Sequence, residues 1–196
     1  MICGFEPEKG KRVDALGTSM TTFEPFETGV EVQGQAVLSV VAGVPSAFES
    51  KAYDLLAAEG IEDPRPDAWY SQSSYLNAYR RIVDEIGENT LQRIAQSTPE
   101  NAEWPSSVDG PVAALESIDD AYQQNHRGGD VGSYDVVDVD GRRATVRCRT
   151  PYPCAFDEEL VEATVELFSD DYPTTTEIGA TCRSDGGEEC TYRVEW

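Results

Sequence analysis

The spacing of apolar residues in the first two thirds of the chain is typical of amphipathic helices. One predicted helix has a buried face whose members recur every three or four positions: Tyr75, Leu76, Tyr79, Ile82, Val83 and Ile86. Another begins at Pro111, a residue suited to a first helical turn, and has the stripe Val112, Leu115, Ile118 and Tyr122. This part of the chain is therefore predicted to be mainly helical.

Polar and glycine residues at the ends of these patterns predict where the helices begin and end. Ser46 is a candidate N-cap for a helix that Gly60 ends, and Asp67 is a candidate N-cap for the helix that contains Tyr75. A shorter helix is predicted over 32–44, although the many β-branched residues there leave a strand as an alternative.

Other segments of the N-terminal half carry weaker patterns. A further helical piece is predicted over 90–96, and residues 97–111 are predicted to be a connecting loop. Residues 1–30 show no sustained hydrophobic period and are predicted to be a loosely ordered arm.

The hydrophobic period changes from helical to alternating after Gly128-Gly129. Apolar and polar residues alternate over 134–139 and over Arg143–Arg149, which predicts two strands. Asp140-Gly141 between them is a preferred dipeptide for a two-residue hairpin turn.

The end of the chain completes a sheet. A helix capped by Asp157 is predicted next, and residues 174–182 and 190–196 are predicted to form a second antiparallel pair. The predicted fold class is therefore α+β, with a helical N-terminal half followed by a β-β-α-β-β antiparallel sheet. We expect one domain over residues 31–196.

The chain is strongly acidic, with a formal charge of −22 from 37 acidic and 15 basic residues. An acidic shell spread along the whole chain and poor in lysine is what a salt-rich cytoplasm favours, because salt screens its self-repulsion. The composition predicts a halophilic, archaeal source, with an acidic protein that binds cations or basic partners as the alternative. We expect no direct contact with nucleic acid, since no basic stripe exists.

The chain also shows no sign of export or membrane insertion. The segment after Met1 lacks the basic and apolar regions of a signal peptide, and no window approaches 18 uninterrupted apolar residues. A cytoplasmic location is therefore predicted. In a reducing compartment, clustered cysteines more often bind metal or do redox work than form structural bridges.

Cys154, Glu177, Cys182 and Cys190 are the candidate metal ligands. Cys182 and Cys190 flank a polar, glycine-rich stretch that fits a turn between two strands, and such a turn brings both sulfurs together. Three thiolates and a carboxylate suit tetrahedral zinc and leave no open position, so the metal is predicted to be structural. The alternative is that these cysteines are small buried hydrophobic residues.

The closing segment, from Pro151-Tyr152-Pro153-Cys154 to Cys190-Thr191-Tyr192, resembles the C-terminal half of 4-vinyl reductase-type domains. These domains share one ligand-binding fold with the haem-nitric-oxide-binding domains and the TRAPP vesicle-tethering subunits. In the phenol-sensing transcription activators, the domain holds zinc through three cysteines and one glutamate, with a Cys-x7-Cys pair at the end. Cys182 and Cys190 match that spacing, and the interval from Cys154 to Glu177 matches as well. Four residues separate Glu177 from Cys182, more than in the family pattern, which leaves Asp185 or Glu188 as an alternative carboxylate ligand.

The same resemblance raises the question of haem. Haem-nitric-oxide-binding domains ligate iron through a proximal histidine and hold the propionates with a Tyr-x-Ser-x-Arg motif. His126 is the only histidine here, and the motif is absent; residues 70–74 fail at its third and fifth positions. The sequence therefore disfavours haem, and His126 is predicted to lie in solvent at the C-terminus of a helix.

Aromatic residues are candidates for the wall of an apolar pocket between helices and sheet. Trp104 and Tyr122 are the preferred pair, with Tyr79 and Trp69 as further candidates. The alternative for each of them is ordinary core packing.

These features predict a sensor or carrier domain that binds a small hydrophobic or aromatic ligand, is stabilised by zinc and acts through a separate signalling partner. One alternative is a TRAPP-like interaction module that forms a homodimer, and another is an accessory factor in tetrapyrrole vinyl reduction. Catalysis has little support, because the chain has neither a phosphate-binding loop nor a serine beside a general base.

Overall fold

The structure is a computed structural model that describes residues 22–87 and 89–196. The helices are α1 (Gly34–Gly43), α2 (Glu49–Ala58), α3 (Gln72–Ile86), α4 (Asn89–Glu100), α5 (Pro111–Gln124) and α6 (Cys154–Phe168). The strands are β1 (Glu31–Gln33), β2 (Trp69–Ser71), β3 (His126–Arg127), β4 (Ser133–Val139), β5 (Arg143–Arg149), β6 (Thr174–Glu177) and β7 (Cys190–Glu195). None of the helices in these ranges combines the length and hydropathy that crossing a bilayer requires.

The predicted α+β class and the β-β-α-β-β order are confirmed. The four-stranded sheet has the order β4-β5-β7-β6, and all its neighbours are antiparallel. Because side chains alternate along a strand, one face of the sheet presents a fully buried set: Ala144, Val146, Cys148, Cys190, Tyr192 and Val194. Helix α6 packs against β6, β7, α4 and α5, so the core lies between the sheet and the helices.

The hairpin between β4 and β5 turns one residue later than predicted. Val139 pairs with Ala144, and the Asp140 amide donates to the Arg143 carbonyl at 2.9 Å. Gly141 and Arg142 are therefore the central residues, with Gly141 at φ +62° in the first central position. A positive φ at the first central position favours glycine there, whereas the prediction placed Asp140 at that position and Gly141 at the second.

A second sheet of three short strands, in the order β2-β1-β3, was not predicted. Strand β1 occupies the start of the segment predicted to be helical over 32–44, so α1 begins only at Gly34. A Cβ at Gly34 would lie 1.9 Å from the Arg65 carbonyl oxygen, so this close crossing of the chain requires glycine. Strands of two or three residues are too short to produce a readable period.

Three predicted helix caps are wrong. Ser46 lies within a short 3-10 turn over Ser46–Phe48, and α2 begins only after Phe48. Asp67 precedes β2, and the N-cap of α3 is Ser71, whose hydroxyl accepts from the Ser74 amide at 3.4 Å. Helix α6 begins after Pro153, so Asp157 lies inside its first turn and is fully buried. The last predicted strand also stops early, because β6 ends at Glu177.

The predicted arm and loop differ in how far the structure describes them. Residues 1–21 of the arm lie outside the described ranges; within 22–30, Phe23 and Val30 are buried in the core. Helix α4 extends to Glu100 through part of the predicted loop, with Pro99 in its last turn.

Helices α1 and α4 approach each other closely at Gly43. A Cβ there would lie 2.5 Å from the Ile94 Cα atom. The absence of a side chain at Gly43 therefore sets the separation of these two helices.

Candidate functional site

Three cysteines from separate parts of the C-terminal half form a thiol cluster. Cys154 begins α6, Cys190 begins β7, and Cys182 precedes a short 3-10 turn over Arg183–Asp185. The Sγ atoms lie 3.1 Å (Cys182 to Cys190), 3.3 Å (Cys182 to Cys154) and 3.4 Å (Cys190 to Cys154) apart. Sulfurs that share a tetrahedral zinc at about 2.3 Å would lie only roughly half an ångström farther apart. The cluster therefore fits one zinc ion with little rearrangement.

The three thiols are not equivalent. Hydrogen bonds, first from Cys154 and then from the Arg183 amide and Cys182, lower the pKa of Cys190 to about 6. The hydrogen bond to Cys190 and burial raise the pKa of Cys154, while burial is the main cause that raises that of Cys182 to about 11. Cys190 is thus the thiol of the cluster that loses its proton most readily, and a thiolate is the form that binds metal.

The predicted carboxylate ligand lies beside the cluster rather than within it. Glu177 is the last residue of β6 and is exposed, and its hydrogen bond to the Cys182 thiol contributes to the raised pKa of that thiol. Among the residues that the structure describes, only the three cysteines have ligand atoms that all lie within 4.8 Å of one another. Asp185 and Glu188, the alternative ligands, lie outside this group as well.

A cavity of about 320 Å³ lies between α1, α4, α5, α6 and the edges of both sheets. Its apolar walls come chiefly from Leu38, Val40, Ile94, Ile118, Phe156 and Leu160. Its polar atoms belong to tyrosines, amides and hydroxyl groups, together with one histidine, and no Asp, Glu, Lys or Arg is among the described residues that line it. Such a lining suits an uncharged ligand.

The prediction that His126 lies in solvent is wrong: the residue lies in the wall of this cavity. It is 7% exposed. Its Nδ1 lies 2.7 Å from the Tyr122 carbonyl oxygen, which only accepts, so Nδ1 carries the proton and Nε2 accepts from the Tyr152 hydroxyl at 2.9 Å. Burial lowers the pKa of the imidazole to about 4, so the ring is neutral at pH 7.

The four predicted ligand-binding aromatics divide into two pairs. Trp104 and Tyr122 line the cavity, and the Trp104 indole N–H donates to the Pro99 carbonyl at 2.8 Å. Tyr79 is packed in the core. Trp69 lies under the Arg127 guanidinium, whose Cζ atom is 4.1 Å from the centre of the ring. Neither Tyr79 nor Trp69 lines the cavity.

Sequence reasoning missed most of the polar wall. Tyr75, Tyr134 and Tyr152 line the cavity beside His126. Asn125 also lines it: its amide nitrogen donates to the Ala121 carbonyl at 2.8 Å, and its buried Oδ1 has no hydrogen-bond partner. Asn125 and His126 stand next to each other where the helical period ends, and this pair was the sequence signal that could have indicated the polar wall.

A pair of buried charged residues lies between the thiol cluster and the cavity. Asp157 is fully buried and accepts from the Tyr134 hydroxyl at 2.6 Å and from the Thr150 hydroxyl at 2.8 Å. Burial raises the pKa of this carboxyl to about 7, against the lowering effect of Arg183. Arg183 is 2% exposed and donates to the Tyr152 carbonyl at 2.7 Å.

Comparisons with known proteins identify the fold. No protein-family model matches the chain, and no curated protein matches it either. The H-NOX protein from S. oneidensis in the Fe(II)NO ligation state is similar in structure, with a TM-score of 0.63, 11% identity, and 83% of this chain and 98% of that chain covered. The unliganded Fe(II) H-NOX protein from K. algicida has a TM-score of 0.61 and 14% identity, with 83% of this chain and 95% of that chain covered. An I5F mutant of T. Tengcongensis H-NOX has a TM-score of 0.60 and 15% identity, with 83% of this chain and 96% of that chain covered.

The expectation that haem is disfavoured is wrong, because structures of this fold are described with Fe(II)NO ligation and with a haem whose porphyrin the protein distorts. His126 lines the cavity with an unprotonated Nε2, which accepts from the Tyr152 hydroxyl. No described cationic side chain lines the cavity to receive carboxylate substituents. The likeness in structure is nevertheless clear over most of the chain, which has the fold of the H-NOX domains.

Proposed function

We propose that this chain is a small-molecule sensor domain that binds its ligand in the cavity beside His126 and holds zinc in the thiol cluster. The observation that carries the proposal is the cavity itself, which combines apolar walls with one polar wall of neutral groups. A separate partner would receive the signal.

The polar wall favours an uncharged aromatic or hydrophobic ligand that carries a hydrogen-bond donor. The Oδ1 atom of Asn125 is a buried acceptor without a partner, and an unsatisfied buried acceptor costs about 1–3 kcal/mol. A ligand hydroxyl or N–H group that donates to Asn125 would remove this cost. The nearby Nε2 of His126 is a second acceptor, which now accepts from Tyr152.

Haem is the second candidate ligand, and the neutral imidazole of His126 in the cavity wall is the observation that favours it. When bound, a haem would supply an iron that takes small gaseous ligands. His126 would be its protein ligand, and Trp104 and Phe156 would supply apolar walls.

The thiol cluster supports the finer kinship with 4-vinyl reductase-type domains. That resemblance implies a Cys-x7-Cys pair and a third cysteine as ligands, and these three sulfurs lie within 3.4 Å of one another. Zinc would join the start of α6 to the start of β7. Because the ligands come from distant parts of the chain, binding of the metal would also stabilise the fold. Glu177 is the proposed fourth ligand, since it already contacts the thiol of Cys182.

Two measurements test the cavity. The purified protein should show either a Soret band, alone or after addition of hemin, that is lost in His126→Phe, or a rise in melting temperature with phenol or indole that is lost in Trp104→Ala. Trp69→Ala is the matched control, because that tryptophan lies outside the cavity. If neither response occurs, the sensor proposal is wrong.

Elemental analysis tests the metal. The wild-type protein should contain one zinc per chain, and Cys190→Ser should lose it. Cys148→Ser is the matched control, because Cys148 is also fully buried and pairs with Cys190 across the sheet but lies outside the cluster. Equal zinc in both variants would reject the site.

A further inference from the structure

Arg183 contacts both the thiol cluster and the wall of the cavity. On the side of the cluster, it follows Cys182 in the chain, and its amide N–H donates to the Cys190 sulfur at 3.4 Å. The backbone of residue 183 is therefore placed by the cluster.

The side chain of Arg183 reaches the other way, into the core. One guanidinium nitrogen lies 2.7 Å from the Tyr152 carbonyl oxygen and 3.4 Å from the Thr150 hydroxyl. Thr150 also donates to Asp157, so a buried cation and a buried carboxylate share a partner. Buried charges depend on good geometry with their partners, so a shift of the Arg183 backbone cannot leave these contacts unchanged.

Tyr152 continues the connection to the cavity. The backbone carbonyl of Tyr152 accepts from Arg183, and its hydroxyl donates to His126 Nε2 at 2.9 Å. Three hydrogen bonds, joined by the covalent frames of Arg183 and Tyr152, thus connect Cys190 with His126.

We propose that occupation of the thiol cluster by zinc sets the hydrogen-bond state of the His126 imidazole, with Arg183 and Tyr152 as the positioning residues between the two sites. Zinc would fix the turn Arg183–Asp185, and the guanidinium would then hold the Tyr152 backbone and so its hydroxyl against His126. This inference rests on the proposed function in one respect, that the cluster binds zinc. It follows that zinc and a cavity ligand influence each other's binding, since coupling between two sites is reciprocal.

The single histidine of the chain provides a direct readout. In protein labelled with ¹³C and ¹⁵N at histidine, the imidazole spectrum reports on His126 alone. Titration of metal-free protein with Zn²⁺ should shift this spectrum in the wild type. In Arg183→Gln the shift should be lost, while elemental analysis still finds bound zinc.

Two further variants keep the test decisive. Tyr152→Phe removes only the hydroxyl that contacts His126, so it should also lose the zinc-dependent shift if Arg183→Gln fails to fold. Arg149→Gln is the matched control, because the Arg149 guanidinium pairs with the exposed Asp130 at 2.6 Å; it should keep the shift. Bound zinc without any shift in the wild type would overturn the coupling alone. A protein that binds no zinc would overturn the metal site and, with it, the coupling.

Discussion

The buried histidine makes the stability of this domain depend on pH in a predictable way. The imidazole of His126 has a pKa of about 4 in the folded protein against an ordinary value of 6.5, and burial is the main cause. Because the unfolded chain takes up this proton near pH 6.5 and the folded chain only near pH 4, the stability that the neutral ring contributes is complete above pH 6.5 and is lost as the pH falls through that window. At 1.4 kcal/mol per pKa unit, the loss is about 3 kcal/mol.

The measurement is urea unfolding of wild type and His126→Gln from pH 8 to pH 4, with a chelator in both samples. Glutamine can still form hydrogen bonds but does not titrate. All other groups, including Asp157, are common to both proteins and cancel in the difference between their free energies of unfolding. Relative to the variant, the wild type should lose about 3 kcal/mol over this range. A difference that stays constant with pH would show that the ring is not buried in its neutral form.

Three other changes have expected outcomes. Arg183→Met removes the donor to the buried Tyr152 carbonyl and the cation nearest Asp157, and it should lower the free energy of unfolding by about 1–3 kcal/mol. The double variant with Asp157→Leu should recover part of this in denaturant titrations. Tyr122→Phe removes the hydrogen bond to the buried Val131 carbonyl and should cost about 1 kcal/mol in the same assay. Chelation of zinc should lower the melting temperature of the wild type but not that of Cys190→Ser; an equal effect on both would argue against a metal at the cluster.

The elements that the sequence predicts well are those whose signal is local. Helix α5 has the bounds that Pro111 and its apolar stripe indicate, and strand β5 follows its alternating pattern over its whole length. The three cysteines could be grouped because a polar turn between Cys182 and Cys190 limits where the second sulfur can lie. These inferences need only the period of a helix or strand and the reach of a turn.

The parts that could not be predicted depend on tertiary contacts. Asp67 and Asp157 both look like helix caps, but carboxylates are so common in this chain that a cap cannot be told from a solvated residue or, for Asp157, from a buried acceptor. His126 stands at the end of a helix, and only the packing of β3 and Tyr152 decides that it faces a cavity. The position of Glu177 depends on where β6 ends, which the polar sequence of this four-residue strand does not specify.

The contact at Gly43 has a consequence for how this cavity evolves. Gly43 does not line the cavity, yet it sets the distance between α1 and α4, which both do. A single added methyl group would wedge the two helices apart and widen the space between them, with every wall residue unchanged. Substitutions that make no contact with a bound ligand can therefore change the range of ligands that the cavity accepts.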